Sequence, residues 1–189
     1  MTVELDFGGK SVVVIGGTSG LNRGIAEGFA KHGAQVAVAS RKQEKVDDTV
    51  QSLLQLGAEK ASGKAFDVRD FDAVKDGLAA FHKDIGEFDI LVSGAAGSFA
   101  ATAVDMSVNA FKAVVDIDLM GTIHVMKAAY PYLRRPGASV INISAPQAYM
   151  PFEGQSHACA AKAGVDQITR TLSLEWGKDG DEPPLGGPI

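Results

Sequence analysis

At 189 residues, with 46% hydrophobic and 22% charged residues, the chain is long enough to bury a sizeable core and has the size of one domain, taken here as 1–189. A formal charge of -5 excludes the dense basic surface that a sequence-independent grip on nucleic acid requires. Cys159 is the only cysteine, which excludes an intrachain disulfide or a cysteine metal cage, and no run approaches the roughly 20 apolar residues of a membrane span, so the expectation is a soluble, cytoplasmic protein with no membrane partner.

Taken in chain order, Ser11–Ile15 is a short β-branched run, residues 16–20 form a glycine turn, and residues 21–31 repeat apolar positions at helical spacing through Ile25, Phe29 and Ala30. A second strand is predicted at 35–39 and a second helix at 44–56, through Val46, Val50, Leu53 and Leu54. A third strand is predicted at 64–68, a third helix at 73–82 and a fourth strand at 88–92. Helices are predicted at 108–115, 121–134 and 155–176, with a fifth strand at 139–143. Continuous apolar strands alternating with amphipathic helices predict an α/β, doubly wound, Rossmann-type parallel sheet with helices on both faces. The proline- and glycine-rich stretch 178–189 reads as a loop-like tail without further strands.

The turn Gly16-Gly17-Thr18-Ser19-Gly20-Leu21 comes after the first strand and opens the first helix. Its glycines let the backbone approach a pyrophosphate, and the helix N terminus offers unpaired N–H donors. After the second strand, a carboxylate would accept the ribose hydroxyls of NAD and repel the extra phosphate of NADP. Ser40, Arg41 and Lys42 stand there instead, a hydroxyl beside two cations, which predicts NADP(H), with Arg23 as a further basic candidate. Read without a cofactor, Arg41 and Lys42 are solvated loop charges.

Together these segments resemble the short-chain dehydrogenase/reductase family from Val12 to about Trp176. Asp67-Val68 matches the pair that holds the adenine ring, and Ser93-Gly94-Ala95-Ala96-Gly97 takes the place of the family's Asn-Asn-Ala-Gly motif, which brings Gly94, Ala95 and Ala96 into the cofactor set. Asn22 replaces the third glycine of the turn and is read as a residue that tolerates a left-handed backbone.

The catalytic positions depart from the family pattern. Ala158 stands where the Tyr-x-x-x-Lys motif ending at Lys162 would have its tyrosine, Ala145 replaces the serine, and Asp118 replaces the asparagine. With Asp166, this combination resembles the peroxisomal-type 2,4-dienoyl-CoA reductases and their bacterial relatives. The resemblance implies an NADPH-dependent reductase of dienoyl thioesters. In it Lys162 holds the nicotinamide ribose and places charge near the thioester oxygen, while Asp118 and Asp166 position a water as proton source. It also implies an acyl-CoA substrate and a homodimer or homotetramer formed through residues 108–134 and 155–176.

Tyr149, thirteen residues before Lys162, is a rival proton donor, and it keeps open a carbonyl or hydroxyl oxidoreductase of the same family. A non-catalytic NADP(H)-binding sensor is the third reading. Lys162 and Asp166 could also be an ordinary helix-surface ion pair, Tyr149 could be loop packing, and a lone histidine such as His157 is more often structural. No metal-ligand pattern and no Ser/His/Asp constellation is legible, so no metal is expected and a hydrolase is disfavoured.

Overall fold

The computed structural model describes residues 5–177. Five strands, β1 (Ser11–Ile15), β2 (Gln35–Ser40), β3 (Lys60–Ala65), β4 (Ile90–Ser93) and β5 (Ser139–Asn142), form one sheet in the order β3-β2-β1-β4-β5. Every pairing is parallel, so each connection must cross over the sheet, and helices supply the crossovers. They are α1 (Gly20–Lys31), α2 (Gln43–Gln55), α3 (Phe71–Ile85), α4 (Val108–Val115), α5 (Gly121–Ala129) and α6 (Ser156–Trp176). The tail read as a loop at 178–189 lies outside the described residues.

Alternate residues of β1 serve two separate cores. Val12 and Val14 join Val36, Val38, Ala26, Ala30 and Leu53 under α1 and α2, whereas Val13 and Ile15 join Val74, Leu78, Phe81, Leu91 and Val125 under α3 and α5. A strand buried on both faces has no polar side to alternate with, which is why β1, β2 and β4 read as continuous apolar runs. Leu172 and Trp176 bring the end of α6 against the second core.

Two elements differ from the sequence reading in ways that shape the site. The third strand is Lys60–Ala65, earlier than the expected 64–68, because it is an edge strand with a polar, largely exposed course. The apolar residues that suggested the later position, Phe66 and Val68, are buried in the loop after it. Gly77 and Gly121 leave space for them: a Cβ there would lie 2.4 Å from Phe66 and 2.6 Å from Val68, respectively. The helix expected at 121–134 ends at Ala129 in a 3-10 turn, Tyr130–Tyr132, where Pro131 offers no N–H to continue it.

A buried carboxylate closes the far end of the sheet. Asp89 accepts hydrogen bonds from the Ser11 backbone N–H (3.0 Å), Lys10 Nζ (3.2 Å) and Arg134 Nε (2.8 Å), tying the starts of β1 and β4 to the approach to β5. Burial pushes its carboxyl up, but these three donors together outweigh burial and hold it below the usual carboxylate range. A carboxylate depressed in the folded state stabilises the fold above its ordinary pKa and loses that contribution as pH falls through that range. Asp89→Asn is therefore expected to lower the unfolding free energy by about 1–3 kcal/mol at neutral pH. In urea denaturation the gap to the unmodified chain should shrink below about pH 4; a gap that stays constant on acidification would contradict this assignment.

Candidate functional site

At the carboxyl ends of β1 and β4 the chain leaves in opposite directions, to β2 on one side and β5 on the other, and a groove opens between them. Gly16 forms its floor with φ +80°, and a Cβ there would stand 3.0 Å from the backbone nitrogen of Ala95, so the two loops touch backbone to backbone. Thr18 and Ser19 line the turn, and α1 starts at Gly20 and Leu21. Ser19 precedes α1 without capping it through its side chain, and no acidic residue sits in the first turn, which leaves the positive end of the helix available to an anion.

On the β2 side, the Ser40 hydroxyl is buried without a hydrogen-bond partner and Arg41 lines the same wall. Arg23 does not join them. Its guanidinium binds Glu27 on α1 (2.8 Å) and Asp48 on α2 (2.9 Å), and it does not line the groove. Lys42 occupies the N-cap position of α2 and is not part of the groove wall.

Asp67 and Val68 line the outer end. Arg69 donates to both Asp67 carboxylate oxygens (3.0 and 2.6 Å), and these bonds hold Asp67 below the usual carboxylate range against the opposing effect of burial. The Val68 carbonyl accepts from His124 Nδ1 at 2.8 Å, which fixes the loop against α5.

The opposite wall is Gly94, Ala95 and Ala96. Here Asn22 corrects the sequence reading. No residue other than glycine has positive φ among the described residues, so Asn22 is an ordinary residue of α1 rather than a left-handed one. Its Nδ2 donates to the Gly94 carbonyl at 2.7 Å. A Cβ on Gly94 would lie 2.3 Å from the Asn22 carboxamide, so the two positions are matched in size.

Ala96 also borders a second, adjoining pocket, walled by Gly97, Asp118, Gln147, Gln155, Ala158 and Lys162. Asp118 comes from a π-helical turn, Asp116–Met120, inserted between α4 and α5; the wider turn interrupts the 3.6-residue period that the sequence reading relied on. Only 2% exposed, Asp118 accepts from the Gly97 backbone N–H at 2.8 Å and lies 3.7 Å from Lys162 Nζ. Burial pushes its carboxyl above the usual range, outweighing the Gly97 N–H, the Lys162 ammonium and the charge of His157. Lys162, itself buried on α6, donates to the Ile143 carbonyl at 2.9 Å.

Ala158 and Ala145 face this pocket, so no hydroxyl stands at either of the two positions where the family pattern has one. Asp166 is buried one turn after Lys162 on the same side of α6 but does not border the pocket. Tyr149 is 72% exposed and also outside the pocket wall, so the structure does not bring it to Lys162. Sequence reasoning missed Gln147 and Gln155, whose side chains hydrogen-bond across the mouth at 2.9 Å, because isolated glutamines in a loop carry no periodic or charge signal. Among the described residues no cluster of three His, Cys, Asp or Glu could hold a metal, and no helix is long and apolar enough to cross a membrane.

Comparison with known proteins identifies the family. Residues 10–180 match the family model described as short chain dehydrogenase. The chain is 41% identical to the peroxisomal 2,4-dienoyl-CoA reductase of Arabidopsis thaliana over 95% of its own length and 65% of that protein's. It is 34% identical to a probable 2,4-dienoyl-CoA reductase of Bacillus subtilis, over 89% of this chain and 66% of the relative. The chain thus spans about two thirds of these relatives' length. Among solved structures, a Burkholderia cenocepacia short chain dehydrogenase in complex with NADP superposes with a TM-score of 0.87 at 26% identity, covering 94% of this chain and 72% of that one. A Bacillus anthracis short chain dehydrogenase gives 0.83 at 34% identity, covering 92% and 73%.

The tight match of Asn22 to Gly94 yields a packing prediction. Gly94→Ala is expected to destabilise the chain by about 1–3 kcal/mol through overpacking. In an Asn22→Gly background the same change should cost clearly less, as read from urea midpoints in a double-mutant cycle. Equal costs in both backgrounds would show that the carboxamide yields freely.

Proposed function

The chain belongs to the short-chain dehydrogenase family, and from that premise we propose that it is an NADP(H)-dependent reductase of 2,4-dienoyl-CoA-type thioesters. The observation that carries the reading is the buried pair of Asp118 and Lys162 beside a position emptied of tyrosine by Ala158. Burying two charges is costly and is seldom retained for stability alone. The pair stands in the pocket that adjoins the groove, where a substrate would meet the cofactor.

The groove fits a phosphorylated dinucleotide. The floor at Gly16 admits backbone approach, the N terminus of α1 offers N–H groups to the pyrophosphate, and the orphaned Ser40 hydroxyl beside Arg41 suits the additional phosphate of NADP. Gly94, Ala95, Ala96, Asp67 and Val68 complete the cofactor set. When bound, the dinucleotide supplies the hydride.

The chain's own residues then manage charge and protons. Lys162 has three N–H donors; one is held by the Ile143 carbonyl and one faces Asp118, which leaves the third for the cofactor ribose or the thioester oxygen, where negative charge develops. Asp118, raised by burial, keeps a proton at higher pH than an ordinary carboxylate and can pass it through a water to the substrate carbon. Asp166 is assigned to the same proton path from the next turn of α6, on the resemblance to the relatives. Tyr149 is kept as the proton donor of the second reading, a carbonyl or hydroxyl oxidoreductase, which its exposure disfavours. A homodimer or homotetramer through α4, α5 and α6, and a cytoplasmic setting suited to the single free thiol of Cys159, complete the proposal.

Mixing the chain with NADPH and a 2,4-dienoyl-CoA and following both absorbances tests the activity. Loss of both signals together is expected; tight NADPH binding without turnover would favour a sensor, and turnover of ketones alone would favour the second reading. Asp118→Asn should lower kcat by about 10²- to 10⁴-fold with little change in the NADPH dissociation constant. Arg41→Ala should raise the KM for NADPH by roughly 10-fold or more and leave that for NADH nearly unchanged; parallel changes for both would remove Arg41 from phosphate recognition.

A further inference from the structure

Alanine occupies positions 145 and 158 in the wall of the second pocket, where the family pattern has hydroxyls. The proposed reduction still needs a hydrogen-bond donor there. As hydride adds to the far end of the diene, its π electrons move to the thioester oxygen, and a proton then adds at carbon while NADPH is oxidised to NADP+. Lys162 has a single N–H left after Ile143 and Asp118, and the cofactor ribose is a second claimant on it. A neutral donor aimed into the pocket would settle the competition.

Gln147 and Gln155 stand in the same wall as Lys162 and Asp118, both half-buried. Gln147 Nε2 donates to Gln155 Oε1 at 2.9 Å, so one carboxamide fixes the direction of the other. Gln155 Nε2, with two N–H groups, is left without a hydrogen-bond partner among the described residues. Gln155 is also the N-cap residue of α6, yet its side chain makes no capping bond, and no acidic residue in the first turn of that helix opposes negative charge beside Ala158. Ser98, a further donor in the wall, is exposed, and no hydrogen bond among the described residues fixes its hydroxyl. Resting on the dienoyl thioester reading, we infer that Gln155 is a catalytic residue whose Nε2 donates a hydrogen bond to the thioester oxygen, with Gln147 as the positioning residue that holds its carboxamide. The remaining N–H of Lys162 then belongs to the cofactor ribose.

The test follows kcat with NADPH and a 2,4-dienoyl-CoA at about pH 8, where a glutamate is ionised, together with the absorption band of the dienoyl thioester bound without NADPH. In the unmodified chain that band is expected to move to longer wavelength, because a donor at the oxygen polarises the conjugated system. Gln155→Leu should lower kcat about 10²- to 10³-fold and abolish the band shift. Gln155→Glu keeps an oxygen for Gln147 but offers no N–H, so it should lose at least as much; activity recovered in this variant would show that Gln155 only holds Gln147, and overturns the inference. Gln147→Leu should lower kcat by about threefold to tenfold, the range of one hydrogen bond. A Gln155→Leu chain that keeps kcat within about threefold of the unmodified value, or keeps the band shift, likewise overturns the inference while the dienoyl-CoA reading stands. If the unmodified chain reduces no dienoyl-CoA, both fail.

Discussion

Parallel pairing of β1 with both β2 and β4 is the constraint on which the rest depends. Ile15 is aligned with Ala39 on one side and Ser93 on the other, so three strands end at the same level. The segments that leave these strand ends are thereby brought together: Gly16 beside Ala95, Asn22 beside Gly94, and Ser40 with Arg41 along the same groove. A shift of one residue in either pairing would exchange the side chains that β1 gives to its two cores, so the packing of both cores locks this alignment. Asp89 secures the other end of the same strands, where Ser11, Lys10 and Arg134 meet its carboxylate. The site is built on the carboxyl end while much of the polar anchoring lies at the amino end, and the two can vary separately.

Legibility in the sequence depended on the physics of burial. β1 and β2 are enclosed on both faces, and their apolar runs marked them well; β3 lies at an edge, where Gly63 and two lysines give no apolar signal, and the reading moved to Phe66 and Val68 instead. Those residues are buried for a different reason, as the anchors of the loop that carries Asp67. Pro131 ends α5, but apolar residues at helical spacing continue past it and mask the boundary in the sequence. The π turn at Asp116–Met120 has no comparable mark, because one extra residue per turn looks like noise in a 3.6-residue pattern.

The same distinction applies to the candidate site. Gly16, Arg41, Asp118 and Lys162 could be picked out because residue type and spacing, with the family resemblance, point to their surroundings. Asn22 stands out in the sequence as a departure from the glycine pattern, but not as what it is, a residue of a right-handed helix whose side chain spans to Gly94. Partners far apart in sequence, such as Arg23 with Asp48 or Asn22 with Gly94, are set by tertiary packing and leave no local trace.

Asp118 and Lys162 show how the fold bears a costly arrangement. Each is given one backbone partner, the Gly97 N–H for the carboxylate and the Ile143 carbonyl for the ammonium, and they meet at 3.7 Å rather than in a closer contact. A tighter pair would stabilise both charges more, drawing the carboxyl down and making the ammonium hold its proton more firmly. The looser pair, in a pocket with alanines at positions 145 and 158, leaves burial to dominate the carboxyl and raise its proton affinity. The backbone bonds keep both groups aimed while the gap between them leaves capacity to interact with a third partner.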